Sequence, residues 1–260
     1  GTLDPLATGV LVLCIGKATK LARYLEADEK GYTAELKLGS TTDTQDADGR
    51  VLEVKEYAPP SIDQVREVLH SFQGSIQQQP PAFSALKVNG VPSHRLARQG
   101  SLHEHKRRMV SIREIRLHHY ADPIMQFSVN CSKGTYIRTL CSDIGARLGM
   151  GAHLISLVRT RAGQFLLEQA LSVERLSELA LSGHIEQVLI PLSTAFSGFP
   201  EVTVNEHESR RIAHGNALAL PEGVIPETGD GPVRIMAQNG RFLAMARIRD
   251  KRMDPEVVLV

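Results

Sequence analysis

Three residues of this chain could do chemistry together: Asp4, Tyr32 and Arg138. Asp4 is the one charged residue of the run Gly1-Thr2-Leu3-Asp4-Pro5-Leu6-Ala7-Thr8-Gly9. Glycines at both ends permit backbone angles that other residues avoid. Pro5 locks its own φ and pushes Asp4 into an extended conformation. A lone acid held by residues that fix the backbone is how a chain presents a catalytic group. The same residues also fit an ordinary turn whose Asp side chain bonds its own backbone. Arg138 falls in the first turn of an expected helix, where the helix dipole disfavours a cation. A charge placed there either meets an acid or an anionic ligand, or points away into solvent. Tyr32 opens an alternating strand, where its ring can cap the end of a core.

The elements that must position these residues follow from periodicity. Residues 32–38 alternate, with Tyr32, Ala34, Leu36 and Leu38 on one face, and predict a half-buried strand. The continuous apolar run 10–15 predicts a strand buried on both faces. A short amphipathic helix follows, with Ala18, Leu21, Ala22 and Leu25 inward and Lys17, Lys20 and Arg23 outward. After Pro59-Pro60, Ser61 and Gln64 have capping-box spacing, and Ile62, Val65, Leu69 and Phe72 form the expected buried stripe. Residues 126–131 alternate as a strand. A helix is expected from about 136 to 148, closed by Gly149 and striped by Ile137, Leu140, Ile144 and Leu148. A further helix is expected near 172–182. Asn239-Gly240 predicts a hairpin between 233–237 and 242–248.

Residues 79–108 lack regular periodicity and carry Pro80-Pro81, Asn89-Gly90 and Gly100, so an excursion containing a hairpin and mobile parts is expected. The chain changes character near 195–199, which predicts a domain of residues 1–197 and a small one of 198–260. The fold class is α+β, with short strands in the second domain.

The chain has 260 residues, 42% hydrophobic and 23% charged, a globular composition. No apolar run approaches membrane-spanning length. Three cysteines without a CxxC argue for reduced thiols and a cytoplasmic protein. Net charge is only +1. Residues 94–116, however, hold Arg95, Arg98, Lys106, Arg107, Arg108, Arg113 and Arg116 against Glu104 and Glu114. That segment suits a polyanion-facing surface, or simply a solvated loop.

Several site classes fail on spacing. The loop 42–49 resembles a calcium loop, but Thr44 and Lys55 stand where ligands are required. It remains a candidate polar loop beside a site. His103-Glu104-His105 lacks a third ligand, so no metal is expected. There is no phosphate-cradling loop, no serine-hydrolase motif and no dinucleotide fingerprint, so no cofactor is expected.

Taken in order, these segments resemble the TruB family of bacterial tRNA pseudouridine-55 synthases. Residues 1–9 are similar to its catalytic loop, with Asp4 at the essential aspartate. Lys30-Gly31-Tyr32 resembles the strand of its active-site tyrosine, and residues 79–90 the start of its RNA-gripping insertion. Gly134-Thr135-Tyr136-Ile137-Arg138-Thr139-Leu140 resembles its arginine motif. Gly151-Ala152-His153-Leu154 and Leu157-Val158-Arg159-Thr160-Arg161 resemble the segment that brings a leucine to the pocket. The tail is similar to a small PUA-like β domain. Two departures stand out. A family histidine just upstream of the loop would fall before Gly1, and residues upstream are expected because the chain begins inside the motif. His94 stands where the insertion often carries a tyrosine.

The resemblance implies a mixed, largely antiparallel sheet flanked by helices. It implies isomerisation of a flipped uridine in the T-arm of tRNA, without metal or cofactor, by a monomer. Asp4 would act at the ribose C1′, and Arg138 would pair with it to offset desolvation. Tyr32 would stack on the base and assist proton removal from C5. Tyr136 and Leu157 would line the pocket. Lys17, Lys20, Arg107 and Arg108 would grip phosphates. Two rivals remain: a pseudouridine synthase guided by RNA within a complex, and a non-catalytic RNA-binding or RNA-folding module.

Overall fold

A computed structural model describes residues 2–26, 29–84, 86–88, 90–100, 105–220 and 231–259. The chain divides into two compact units, 1–12 with 26–170, and 13–25 with 171–260. Residues 171–197 therefore group with the C-terminal unit, whereas their sequence pattern assigned them to the first domain.

The first unit is built on a seven-stranded sheet. Its strands are β1 (Ala7–Gly9), β2 (Lys30–Leu38), β5 (Gly74–Gln78), β8 (Arg108–Ala121), β9 (Ile124–Cys131), β10 (Ala152–Ala162) and β11 (Phe165–Leu166). Two small hairpins account for the intervening numbers, β3 (Ser40–Thr42) with β4 (Val51–Val54), and β6 (Lys87–Val88) with β7 (Val91–Pro92). The order is β1-β10-β2-β9-β8-β5, with β11 beside β10. Only β1 and β10 run parallel, so the sheet is mixed and largely antiparallel as expected.

One face of the sheet carries the core. Ala34, Leu36 and Leu38 of β2 meet Met125, Phe127 and Val129 of β9 and Leu154 and Leu157 of β10. Two helices close this face, Ile62–His70 through Val65 and Leu69, and Ile137–Arg147 through Ile137, Leu140, Cys141 and Ile144. The Ser61–Gln64 capping box is present, with Gln64 N donating to Ser61 Oγ and Ser61 N to Gln64 Oε1. Ile62, however, is exposed, so the buried stripe of this helix begins at Val65.

The expected strand over 10–15 does not form. Pairing with β10 stops at Gly9, and Leu11, Leu13 and Ile15 are exposed. Among the described residues β1 is an edge strand with one neighbour, and none continues the ladder on its other side. Gly9 adopts φ +100, and a Cβ there would lie 2.3 Å from Arg159 O. That backbone-to-backbone approach and positive φ leave room only for glycine where β1 ends.

In the 79–108 excursion the hairpin is present, and a helix over Ser93–Arg98, which the sequence did not suggest, follows it. Ala85, Asn89, His103, Glu104 and the side chains of His94 and Arg98 lie outside the described residues, as does Gly1. His105 is tied down, its Nε2 lying 2.9 Å from Ser93 Oγ and 3.3 Å from Ser84 Oγ.

The second unit holds a five-stranded sheet in the order β12 (Glu201–Val204), β14 (Pro232–Ala237), β15 (Phe242–Arg249), β16 (Arg252–Val258) and β13 (Leu218–Ala219). The Asn239-Gly240 hairpin joins β14 to β15 as expected. Val202, Val233, Ile235, Leu243, Ile248 and Ile212 fill its core. The expected helix near 172–182 spans Val173–Leu181. The segment bearing Lys17 and Lys20 is a 3₁₀ turn, Gly16–Leu21, that continues into the helix Ala22–Glu26.

Candidate active site

Asp4 opens a tight turn, with Ala7 N donating to Asp4 O at 2.9 Å. Pro5 occupies the second position, which its fixed φ suits. The turn reading is thus correct for the backbone, but the carboxylate does not fold back on it. It points to Arg138, whose Nε donates to Asp4 Oδ2 at 2.8 Å and Nη2 to Oδ1 at 3.2 Å. This is the two-point grip that a planar guanidinium makes on a carboxylate.

Arg138 is held on every side. Nη1 donates to Thr44 O at 2.9 Å and lies 3.4 Å from Asp46 Oδ2, and Nη2 also donates to Phe83 O at 2.9 Å. Its side chain is 6% exposed, while a third of Asp4's remains accessible. The cation is therefore buried and satisfied, and the acid it orients stays open to a ligand. This resolves the placement of Arg138 against its helix dipole, since two carboxylates supply the compensating charge.

Asp46 is a site residue that the sequence did not single out. The loop 42–49 suggested a polar neighbour of a site, and rejecting calcium left its acids without roles. Thr42 Oγ1 donates to Asp46 O at 2.7 Å, and Asp48 N to Asp46 Oδ1 at 3.2 Å. Leu154 N donates to Gln45 O, with Gln45 itself in the left-handed region at φ 64. Thr139 Oγ1 also donates to Gln45 Oε1 at 2.8 Å, tying the loop to the Arg138 helix. An αL residue that is not glycine is the type of local strain that surrounding contacts must maintain.

Gln78 is a second residue missed. It is 1% exposed, and its amide meets both backbone groups of Tyr136. Tyr136 N donates to Gln78 Oε1 at 2.7 Å, and Gln78 Nε2 to Tyr136 O at 2.9 Å. Tyr136 is the N-cap of the 137–147 helix and has no side-chain cap of its own. Gln78 thus supplies the cap from β5. The Arg108 guanidinium lies 4.9 Å from the centre of the Tyr136 ring and donates to Gly134 O at 2.7 Å.

Tyr32 sits on β2 with its ring against the core cluster. Burial pushes its phenol above the ordinary value, and the nearby Cys131 and Asp4 add to that, while Arg159 opposes it. Leu157 is 5% exposed and lies opposite Ala34 of β2 and Ala7 of β1. The structure therefore pairs Asp4 with Arg138, sets Asp4 near enough to Tyr32 to act on its phenol, and packs Tyr32 and Leu157 in one core cluster.

The basic segment is less uniform than its composition suggests. Arg113 pairs with Glu29 at 2.9 Å, and Arg116 with Glu114. Lys106 and Arg107 are exposed, while Arg108 belongs to the Tyr136 environment. Lys17 and Lys20 are exposed within the second unit.

Comparison with known proteins assigns the chain a family. The family described as TruB family pseudouridylate synthase (N terminal domain) matches residues 1–137. The tRNA pseudouridylate synthase B C-terminal domain matches 138–197, and the pseudouridine synthase II TruB C-terminal family matches 200–259. Proteins named tRNA pseudouridine synthase B are similar throughout. That of Stutzerimonas stutzeri is 41% identical over 259 residues, covering 98% of this chain and 83% of the relative. That of Syntrophotalea carbinolica is 39% identical over 268 residues, covering 100% and 87%. Among solved structures, a Cbf5-Nop10-Gar1 complex matches with TM-score 0.75 and 25% identity, over 99% of this chain and 74% of that one. An H/ACA RNP bound to a substrate RNA containing 2′-deoxyuridine shares the fold, at TM-score 0.74 and 23% identity over 100% and 75%. With its sheet, its Asp4–Arg138 pair and these matches along its whole length, the chain belongs to the TruB family of pseudouridine synthases.

Proposed function

We propose that this chain converts uridine 55 in the T loop of tRNA to pseudouridine, with Asp4 as the catalytic carboxylate. The observation that carries this reading is the Asp4–Arg138 pair, in which a buried cation orients a still accessible acid. The bacterial relatives named tRNA pseudouridine synthase B support tRNA as the substrate.

In the reaction the C1′–N1 bond breaks, the uracil rotates, and a C1′–C5 bond forms. C5 loses a proton and N1 gains one, so no co-reactant is consumed. Asp4 acts at the sugar, as nucleophile at C1′ or as acceptor of a ribose proton. Arg138 holds both carboxylate oxygens, so that neither rotates away from the substrate. Tyr32 stacks on the base. Burial holds its phenol above the ordinary value, and it assists proton removal from C5. Tyr136 and Leu157 line the pocket. Flipping the base out of its loop costs on the order of a few kcal/mol, offset by stacking and pocket contacts. Arg107 and Arg108 contact phosphates by shape-directed recognition, and Lys17 and Lys20 of the second unit also contact phosphates. The enzyme works as a cytoplasmic monomer, with residues 198–260 as a PUA-like RNA-binding domain.

The test is pseudouridine formation by the purified full-length protein on a T-arm stem-loop, beside Asp4→Asn. The parent is expected to convert the free stem-loop, and the variant to bind it without turnover. Binding without conversion by the parent would favour an RNA-folding module. Activity only with added partner proteins and a guide RNA would favour the guided class.

A further inference from the structure

A buried arginine beside the Asp4 loop has no part in the scheme above. Arg159, on β10, is 4% exposed. Arginine stays charged at any working pH, and burying it is costly unless its N–H groups are bonded. Two of its bonds go to the two ends of one loop. Nε donates to Val10 O at 2.6 Å and Nη1 to Thr2 O at 3.3 Å. Thr2 and Val10 bracket the residues that carry Asp4. The Arg159 backbone reinforces the far end, since it faces Gly9 in the β1–β10 ladder and accepts from Val10 N at 2.9 Å. On its other side Arg159 lies directly opposite Tyr32 in the antiparallel β2–β10 pair. One side chain thus spans the entry and exit of the Asp4 loop and neighbours the pocket tyrosine.

We propose that Arg159 is a positioning residue that staples the Asp4 loop shut and sets the distance between Asp4 and Tyr32. The proposal rests on the reading of Asp4 as the catalytic carboxylate. Its consequence is specific: Arg159 governs the chemical step and leaves RNA binding alone. A misplacement of about 1 Å at a reacting group costs about 100-fold in rate. A lysine offers one compact ammonium where the guanidinium reaches two separated carbonyls, so it restores part of the function and not all of it.

The experiment uses the full-length protein with Arg159→Met, Arg159→Lys and Asp4→Asn. Single-turnover rate at saturating T-arm RNA, RNA affinity and Tm are measured, with rates taken well below the lowest Tm. Arg159→Met is expected to lose about 100-fold in rate, with RNA affinity within about threefold of the parent. Arg159→Lys is expected to fall between, losing about tenfold in rate. It decides the question alone if the Met variant does not fold. A merely structural role would lower Tm while leaving the rate per folded molecule at the parental value, and that result overturns the proposal. So does a loss confined to RNA affinity. Turnover by Asp4→Asn would overturn the underlying reading instead. An inactive Asp4→Asn beside a parental rate in a folded Arg159 variant would overturn the positioning role only.

Discussion

Arg138 and Asp4 stand 134 residues apart in the chain, yet Nε and Nη2 of one reach both carboxylate oxygens of the other, at 2.8 and 3.2 Å. The same guanidinium also serves Thr44 O, Phe83 O and Asp46. Three loops and a helix therefore converge on one planar cation. Its shape, as much as its charge, sets the orientation of the acid.

Replacing that shape while keeping the charge is the sharpest test of the pair. Arg138→Lys cannot hold two carboxylate oxygens and two carbonyls from one nitrogen. The single-turnover rate on a T-arm stem-loop is expected to fall about 100-fold or more. RNA affinity should stay near the parental value in a filter-binding assay. A rate within tenfold of the parent would show that the clamp does not orient Asp4.

Gln78 caps the helix that carries Arg138 through two bonds to Tyr136. Gln78→Leu leaves the Tyr136 N–H without its partner, while Tyr136 O keeps its bond from Leu140 N. The lost bonds cost about 1–3 kcal/mol. Each kcal/mol corresponds to about 2–4 °C in Tm for a chain of this size class. Calorimetry should therefore show a drop of several degrees, and the turnover rate should fall with it as the first helical turn loosens. A parental Tm would mean that water or another group replaces the amide.

The exposed Arg107 tests the polyanion surface without disturbing the site. Arg107→Gln is expected to weaken RNA affinity and to reduce the slope of log K against log salt by about 0.7–0.9. An unchanged slope places that residue off the RNA. Arg108→Gln should affect both affinity and rate, because Arg108 also stacks on Tyr136.

Asp143 gives a pH-dependent prediction. Burial pushes its carboxyl up to about 6, against the pull of Arg107 and Arg147. A carboxyl raised in the fold favours the protonated form. It stabilises below its ordinary pKa, and that contribution is lost as pH rises through about 6. Asp143→Asn should therefore raise Tm at pH 8 and change it little near pH 4. Partial exposure limits the gain to about 1 kcal/mol. A Tm shift of equal size at both pH values would refute the assignment.

Local chemistry was readable before any fold was known. The Ser61–Gln64 cap, the alternation through Tyr32 and Leu38, Gly149 closing a helix, and the Asn239-Gly240 hairpin depend on neighbours a few residues away. Asp4 was readable as a held acid and Arg138 as a charge in need of a partner, because both violate a local preference. The order of motifs identified the family, since each short segment carries side chains that only its chemistry requires.

Tertiary structure decided the rest. The run 10–15 is apolar enough for a central strand, but its position beside an edge strand leaves Leu11, Leu13 and Ile15 in solvent. Number of neighbours is a property of the sheet, not of the run. Asp46, Gln78 and Arg159 break no local rule, so nothing near them in sequence marks them. Their partners arrive from 58 to 157 residues away, Tyr136 for Gln78 and Thr2 for Arg159. A carboxylate and a guanidinium announce that each needs company; only the folded chain determines which company it keeps.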